Sequence, residues 1–321
     1  MAERTNSGRW TETDIPDQTG RTVLVTGANS GLGRRTADVL AGKGARVLLA
    51  CRSPERGARA LELVRRAATG AAPELVSLDL ADLASVRAAA ASVRELTGDA
   101  LDVLVNNAGL MATARGKTAD GFETQFGTNH LGHAALTWLL LPALRGGENA
   151  RVVTLSSVAA TGGGLSMTDP NFEHRRYNPG VAYAQSKLAN QVFAIELDRR
   201  LRAAGESVIS VAAHPGYVGT GLGAGMARSY GNPLLSRGIL AVNRIGETLF
   251  AMRPEQGTLP QLYAATAPGV EGGDYIGPSG IGGLRGYPAK VRTLASARDA
   301  ATGRALWDLT AKLTGVTPDP A

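Results

Sequence analysis

Six short apolar runs, rich in Val, Leu and Ala, alternate along this chain with longer stretches of helical periodicity. The runs are Thr22–Thr26, Arg46–Ala50, Glu74–Leu78, Leu101–Val105, Arg151–Leu155 and Ser207–Ala212. The helical stretches lie near Gly31–Lys43, Pro54–Ala68, Leu83–Leu96, Gly121–Leu144 and Val181–Ala203. A strand that is apolar on both faces must be covered on both faces. Alternation with helices therefore predicts an α/β fold, a doubly wound parallel sheet in a single domain. A further strand is expected at Asp274–Gly277, and Ser53-Pro54 reads as an N-cap followed by proline in the first turn. The expected organisation is an N-terminal arm at 1–20, the domain with its substrate loops at 21–287, and a tail at 288–321 with a helix near Gly303–Lys312. Gly216–Gly238, rich in Gly, Ser, Asn and Pro, reads as a long mobile loop over a site.

Charge and cysteine content narrow the function classes. The net charge is +6 over 321 residues, but the basic residues are scattered, with no Lys/Arg run of the kind that grips nucleic acid. A phosphorylated small ligand suits the basic balance better. Cys51 is the single cysteine, so no intrachain disulfide forms, and its place at a strand end argues against a reactive thiol. The longest apolar run, around Ala134–Leu144, is too short for a membrane span, and Met1–Gly20 has no apolar leader segment. A cytoplasmic location is the expectation.

Two constellations carry chemistry. The first run leads directly into Gly27-x-x-x-Gly31-x-Gly33 and then a helix. Such glycines let the backbone turn tightly against a pyrophosphate, and the helix N-terminus offers unpaired N–H groups; a purely structural strand–helix turn is the other reading. Far downstream, Tyr183 and Lys187 stand i, i+4 on a helix, on one face. A nearby cation favours the phenolate and tunes the tyrosine toward proton transfer. Alone, that pair is more often a solvated helix face than a site. His130 and His133, at i, i+3, have no evident third ligand, so no metal is expected. Trp138 on the central helix reads as core or subunit interface.

Together these segments resemble the short-chain dehydrogenase/reductase family over about Arg21–Pro278. The likeness rests on the glycine turn, Asn106-Asn107-Ala108-Gly109, Phe126-Gly127-Thr128-Asn129-His130-Leu131-Gly132-His133, Val153-Thr154-Leu155-Ser156-Ser157-Val158, Tyr183-x-x-x-Lys187 and His214-Pro215-Gly216-Tyr217-Val218-Gly219-Thr220. The wording is most similar to the retinol-dehydrogenase-like and WW-domain-oxidoreductase-like branch, which also resembles protochlorophyllide reductases. The resemblance implies a Rossmann-like fold and a catalytic tetrad of Asn129, Ser157, Tyr183 and Lys187. Ser157 would bond a substrate carbonyl oxygen, Tyr183 would protonate it, Lys187 would hold the ribose, and Asn129 would hold a water linking Lys187 to solvent. Ser156 as the acting serine, and Asn129 as only a cap of a strained helix turn, are the competing readings. The cofactor would lie along Gly27, Asn29, Ser30, Gly31, Leu32, Gly33, Asp79, Leu80, Asn107, Ala108, Gly109, Tyr183, Lys187, Pro215, Gly216, Val218 and Thr220. Assembly as a homodimer or homotetramer through the two long central helices is also implied.

The end of the second run selects the cofactor. NAD binding uses an acid here to hold the ribose 2′-hydroxyl. The sequence instead reads Leu48-Leu49-Ala50-Cys51-Arg52-Ser53, with no carboxylate before Glu55. A guanidinium suits a 2′-phosphate, so Arg52 predicts NADP(H), and Arg34 is a second candidate charge. Asp79 would contact the adenine or merely start the next helix. Ser157 and Tyr183 are farther apart than in many family members; the extra segment, Thr161–Gly180, contains Gly162-Gly163-Gly164 and is expected to border the substrate pocket. Tyr177 has no lysine four residues on, so Tyr183 is the expected acid. The function expected is interconversion of a carbonyl and an alcohol on an apolar, medium-to-large small molecule. The alternatives are a C=C reductase and a non-catalytic NADP-binding regulator.

Overall fold

The computed structural model describes residues 9–218 and 252–320. Strands β1 (Thr22–Thr26), β2 (Arg46–Cys51), β3 (Glu74–Ser77), β4 (Val103–Asn106), β5 (Arg151–Leu155), β6 (Ile209–Ala213), β7 (Tyr275–Pro278) and β8 (Pro288–Lys290) form one sheet in the order β3-β2-β1-β4-β5-β6-β7-β8. Pairing is parallel from β3 to β7, and β8 runs antiparallel to β7. The order reverses between β1 and β4, where doubly wound sheets open a crevice at their carboxyl ends.

Alternate residues of each strand feed opposite cores, which is why the strands are apolar throughout. Leu24 packs with helices α3 (Leu83–Thr97), α4 (Gly132–Arg145), α5 (Pro179–Ala203) and α7 (Ala300–Thr314). Its neighbours Val23 and Val25 pack with α1 (Gly31–Gly42), α2 (Pro54–Ala67) and α6 (Pro254–Thr266). Strand β8 and helix α7 come from the segment after residue 287.

Two helices differ from expectation. The stretch expected as one helix over Gly121–Leu144 is a helical turn at Thr124–Phe126, a π turn at Gly127–Leu131 closed by Gly132 N–H on Gly127 O, and then α4. The segment is buried nearly all round, so its apolar pattern cannot show one extra residue in a turn. Helix α5 starts two residues before the expected Val181. Asn178 Oδ1 accepts the N–H groups of Gly180 and Val181, and Pro179 takes the first helical position.

Trp138 is core. It meets Trp307 of α7 edge-on at 4.8 Å, and Phe193 stacks on Trp307 at 5.6 Å. His130 Nε2 lies 2.9 Å from Thr310 Oγ1 in the same cluster. The chain thus covers this face of its own central helices with α7.

Candidate active site

The glycine turn after β1 is built for close approach. Gly27 and Gly31 have φ of +66° and +55°, the left-handed region that glycine enters without strain. A Cβ on Gly33 would strike Asn107 Nδ2 and come within 2.5 Å of Gly27 O, so α1 can start against the strand end only with glycine there. Ser30 at the N-cap makes no side-chain capping bond, which leaves first-turn N–H groups open to an anion. Asn29 and Leu32 are half-buried around this turn. Thr26 Oγ1 accepts the N–H groups of Asn107 and Ala108 at 2.9 and 3.0 Å, joining the ends of β1 and β4. These features fit the pyrophosphate of a dinucleotide.

At the end of β2, Arg52 is 67% exposed and its guanidinium stands 4.0 Å from the Asp79 carboxylate. Asp79 Oδ1 accepts Ala81 N–H, while Asp82 caps α3, so Asp79 does not serve as the helix cap. Leu80 is buried, with its carbonyl against Gly132. Arg34 is tied to Asp38 at 2.6 Å and is held back from the crevice. From the first turn of α2, the Arg56 guanidinium reaches Ser30 Oγ at 3.4 Å and brings a second cation to the glycine turn. Sequence reasoning passed over Arg56; the available signal was a cation just inside a well-capped helix following β2.

The expected tetrad residues converge at the ends of β4 and β5. The Ser157 side chain stands beside the Tyr183 phenol, close enough to favour its ionised form. Ser156 is 2% exposed and donates to the carbonyl of Lys187 at 2.8 Å. The two adjacent serines are thereby separated, one committed to the helix backbone and one beside the phenol. Lys187 Nζ donates to Leu155 O at 3.0 Å. A Cβ on Gly109 would lie 3.4 Å from both Lys187 Nζ and Asn129 Oδ1, so these groups flank the same backbone position. Asn129 is fully buried in the π turn. Its Oδ1 accepts Leu110 N–H at 2.8 Å, and its Nδ2 donates to Leu110 O and Ser186 Oγ, each at 2.9 Å.

Electrostatics differ from the simple pair picture. Burial pushes the Tyr183 phenol up, opposed by the nearby Ser157 side chain, which favours the phenolate. Burial also pushes the Lys187 ammonium down, to about 8. Desolvation penalises both charged forms, so spacing alone overstates how far the cation eases ionisation of the phenol. Tyr177 is engaged elsewhere: its hydroxyl donates to Thr113 O at 2.9 Å and accepts from Gln125 Nε2 at 3.0 Å, and burial near Glu123 raises it to about 12.

A cavity of about 280 Å³ opens beside Ser157, lined by Val158, Thr161, His214, Tyr275, Val291 and Leu294 among others. Thr161 brings the start of the extra segment to this cavity; Gly163, Gly164 and Met167 line a second cavity, of about 400 Å³, against α7. Pro215 and Gly216 (φ +74°) turn the chain away from β6, and Val218 bridges Met252. Thr220, and the expected loop beyond residue 218, lie outside the described residues.

The family profile described as short chain dehydrogenase matches residues 21–230. The chain belongs to the short-chain dehydrogenase family. Within the family it falls in the retinol-dehydrogenase-like branch. It is 40% identical to retinol dehydrogenase 14 of Mus musculus over 309 residues, covering 92% of this chain and 86% of that protein. It is 41% identical to polyprenol dehydrogenase of Mus musculus over 307 residues, covering 94% and 86%. Among solved structures, an uncharacterized protein from Mycobacterium paratuberculosis matches with a TM-score of 0.77 at 41% identity, covering 96% of this chain and 98% of that one. The Pseudomonas aeruginosa RhlG/NADP active-site complex matches at 0.60 and 26% identity, covering 80% and 94%. Short-chain dehydrogenases are oxidoreductases that bind nicotinamide cofactors and act on small molecules. No helix among the described residues is long and apolar enough to cross a membrane, and they contain no His/Cys/Asp/Glu cluster able to hold a metal.

Proposed function

We propose that this short-chain dehydrogenase uses NADP(H) to interconvert a carbonyl and an alcohol on an apolar, medium-to-large small molecule. The observation that carries the reading is the placement of Ser157 beside the Tyr183 phenol, one helical turn from Lys187 and at an open cavity. A bound nicotinamide supplies hydride to the carbonyl carbon or takes it from the alcohol. The residues of this chain manage the oxygen. Ser157 hydrogen-bonds the carbonyl oxygen and orients it to Tyr183. The phenol, kept protonated by burial, donates its proton to that oxygen in reduction. Lys187, depressed to about 8, holds or releases a proton near neutral pH and binds the ribose. Asn129 fixes Leu110 and Ser186, and one lone pair on its Oδ1 remains for a water toward Lys187. Gly27, Gly31 and Gly33 admit the pyrophosphate, and Arg52 with Arg56 receives the 2′-phosphate.

The RhlG/NADP complex supports the cofactor choice, and the names of the retinol and polyprenol dehydrogenases support an apolar alcohol as partner in the reaction. Because α7 covers the face of α4 and α5 that carries Trp138, a homodimer or homotetramer would use other surfaces. Fluorescence titration with NADPH and NADH, followed by a ketone and enone panel, tests the reading. NADPH preference and ketone reduction are expected. Binding without turnover would make the chain a regulator, and turnover of enones alone would make it a C=C reductase.

A further inference from the structure

His133 is buried, and its hydrogen bonds reach both halves of the site. Its Nδ1 lies 2.9 Å from the Asn129 carbonyl oxygen and its Nε2 lies 2.9 Å from Thr26 Oγ1. A carbonyl can only accept, so Nδ1 carries the ring proton and Nε2 is the acceptor of a neutral imidazole. The Thr26 hydroxyl therefore donates to Nε2 rather than to the more distant Val105 O at 3.3 Å. That leaves Thr26 Oγ1 to accept the N–H groups of Asn107 and Ala108. At the other end, Asn129 Nδ2 donates to Ser186 Oγ, and the Ser186 hydroxyl donates to Tyr183 O at 2.8 Å. The carbonyl at Asn129 sets the direction of the bonds through His133 and Thr26, while the Asn129 amide and the Tyr183 carbonyl set those at Ser186.

The series joins parts of the fold that are distant in sequence. Thr26, Asn107 and Ala108 are the floor on which the cofactor would lie, and Ser186 and Tyr183 belong to the helix carrying the general acid. The end of β5 is itself bonded to this helix, through Ser156 Oγ on Lys187 O and Lys187 Nζ on Leu155 O. The series extends such bonding to the ends of β1 and β4, where packing alone would tolerate small slips better than a chain of hydrogen bonds does. We propose that His133 is a positioning residue that holds the cofactor floor in fixed register with the helix bearing Tyr183 and Lys187. The inference rests on the oxidoreductase reading of the site.

Two variants cut the link from opposite ends, His133→Leu and Thr26→Val. His130→Leu is the control: it is equally buried, three residues away, and bonded to Thr310 outside the series. At saturating NADPH, His133→Leu and Thr26→Val are expected to lower kcat on the order of 10- to 100-fold and to move the Tyr183 limb of the pH–rate profile, with the control within about twofold. Thr26→Ser, which keeps the hydroxyl, should recover most of the loss. If His133→Leu does not fold, the contrast between Thr26→Val and Thr26→Ser decides. Losses that merely follow the folded fraction, with the pH profile unmoved, or an equal loss in the control, would overturn the proposal. Nitrogen-15 NMR of the wild-type histidine rings gives a readout independent of turnover: the His133 proton is expected on Nδ1, and a proton on Nε2 would overturn the proposal. If the wild type reduces no carbonyl, the oxidoreductase reading has failed, and the ring tautomer still decides the positioning role.

Discussion

The Arg52 guanidinium stands 4.0 Å from the Asp79 carboxylate, at the open ends of β2 and β3. Arg52 is 67% exposed, and an ion pair that open to water contributes little to stability. On the proposed reading, the pair instead holds a cation for the adenosine end of the cofactor, and Arg56 at Ser30 adds a second.

Cofactor discrimination follows from that placement. Arg52→Ala should weaken NADPH by the ~1.5–3 kcal/mol of a hydrogen bond to a charged group, roughly 10- to 100-fold in Kd, and leave NADH nearly unchanged. Fluorescence titrations of both cofactors measure it. Wild-type protein that binds NADH as tightly as NADPH would remove the basis for NADP(H).

The two tyrosines near the site should behave differently. Tyr183→Phe removes the proton donor and should lower kcat by ~10²–10⁴-fold while NADPH binding persists through Lys187. Tyr177→Phe removes the hydroxyl that donates to Thr113 O and accepts from Gln125 Nε2, which keeps only Pro179 O, at ~1–3 kcal/mol of stability, with kcat little changed. Parallel steady-state kinetics and thermal melts separate the outcomes. If Tyr177→Phe were the inactive variant, the extra segment would carry the chemistry.

Gly33→Ala should damage cofactor binding before it damages the fold. The added methyl meets Asn107 Nδ2 and the Gly27 carbonyl, so the turn must open where the pyrophosphate would sit. A raised NADPH Kd with a modest fall in Tm is expected. An unchanged Kd would mean the turn has room that the structure does not show.

Acid should unfold this protein steeply. Burial lowers His130 to about 3 and His133 and His214 to about 4, from an ordinary 6.5. Below pH 6.5 the unfolded chain takes up protons that the folded chain refuses. Stability present above that pH is therefore lost as pH falls toward 4, at about 1.4 kcal/mol per pH unit for each histidine. Denaturant titrations between pH 7 and 4.5 give the slope, and His130→Leu should make it shallower. A flat profile would show that these rings protonate in the folded state.

The sequence by itself determined what depends on spacing within one element. Strands β1, β2 and β5 were legible because each must be apolar on both faces. The glycine turn was legible because positive φ and close approach demand glycine, and Tyr183 with Lys187 because i, i+4 on a helix is one face. Helix α6 escaped notice because Gly257 and Pro260 hide its periodicity, and β8 because Pro288-Ala289-Lys290 has no strand pattern of its own. The resemblance pointed to Ser157, but only tertiary structure shows why: Ser156 and Ser157 are chemically identical until the approach of α5 turns one to Lys187 O and leaves the other beside Tyr183. Tertiary structure also decided that Arg56 rather than Arg34 reaches Ser30, that a π turn presents Asn129, and that His133 links strand end to helix. Relations within an element follow from backbone geometry that a few residues specify. Relations between elements follow from the packing of two whole cores, to which nearly every buried side chain contributes and which no short motif records.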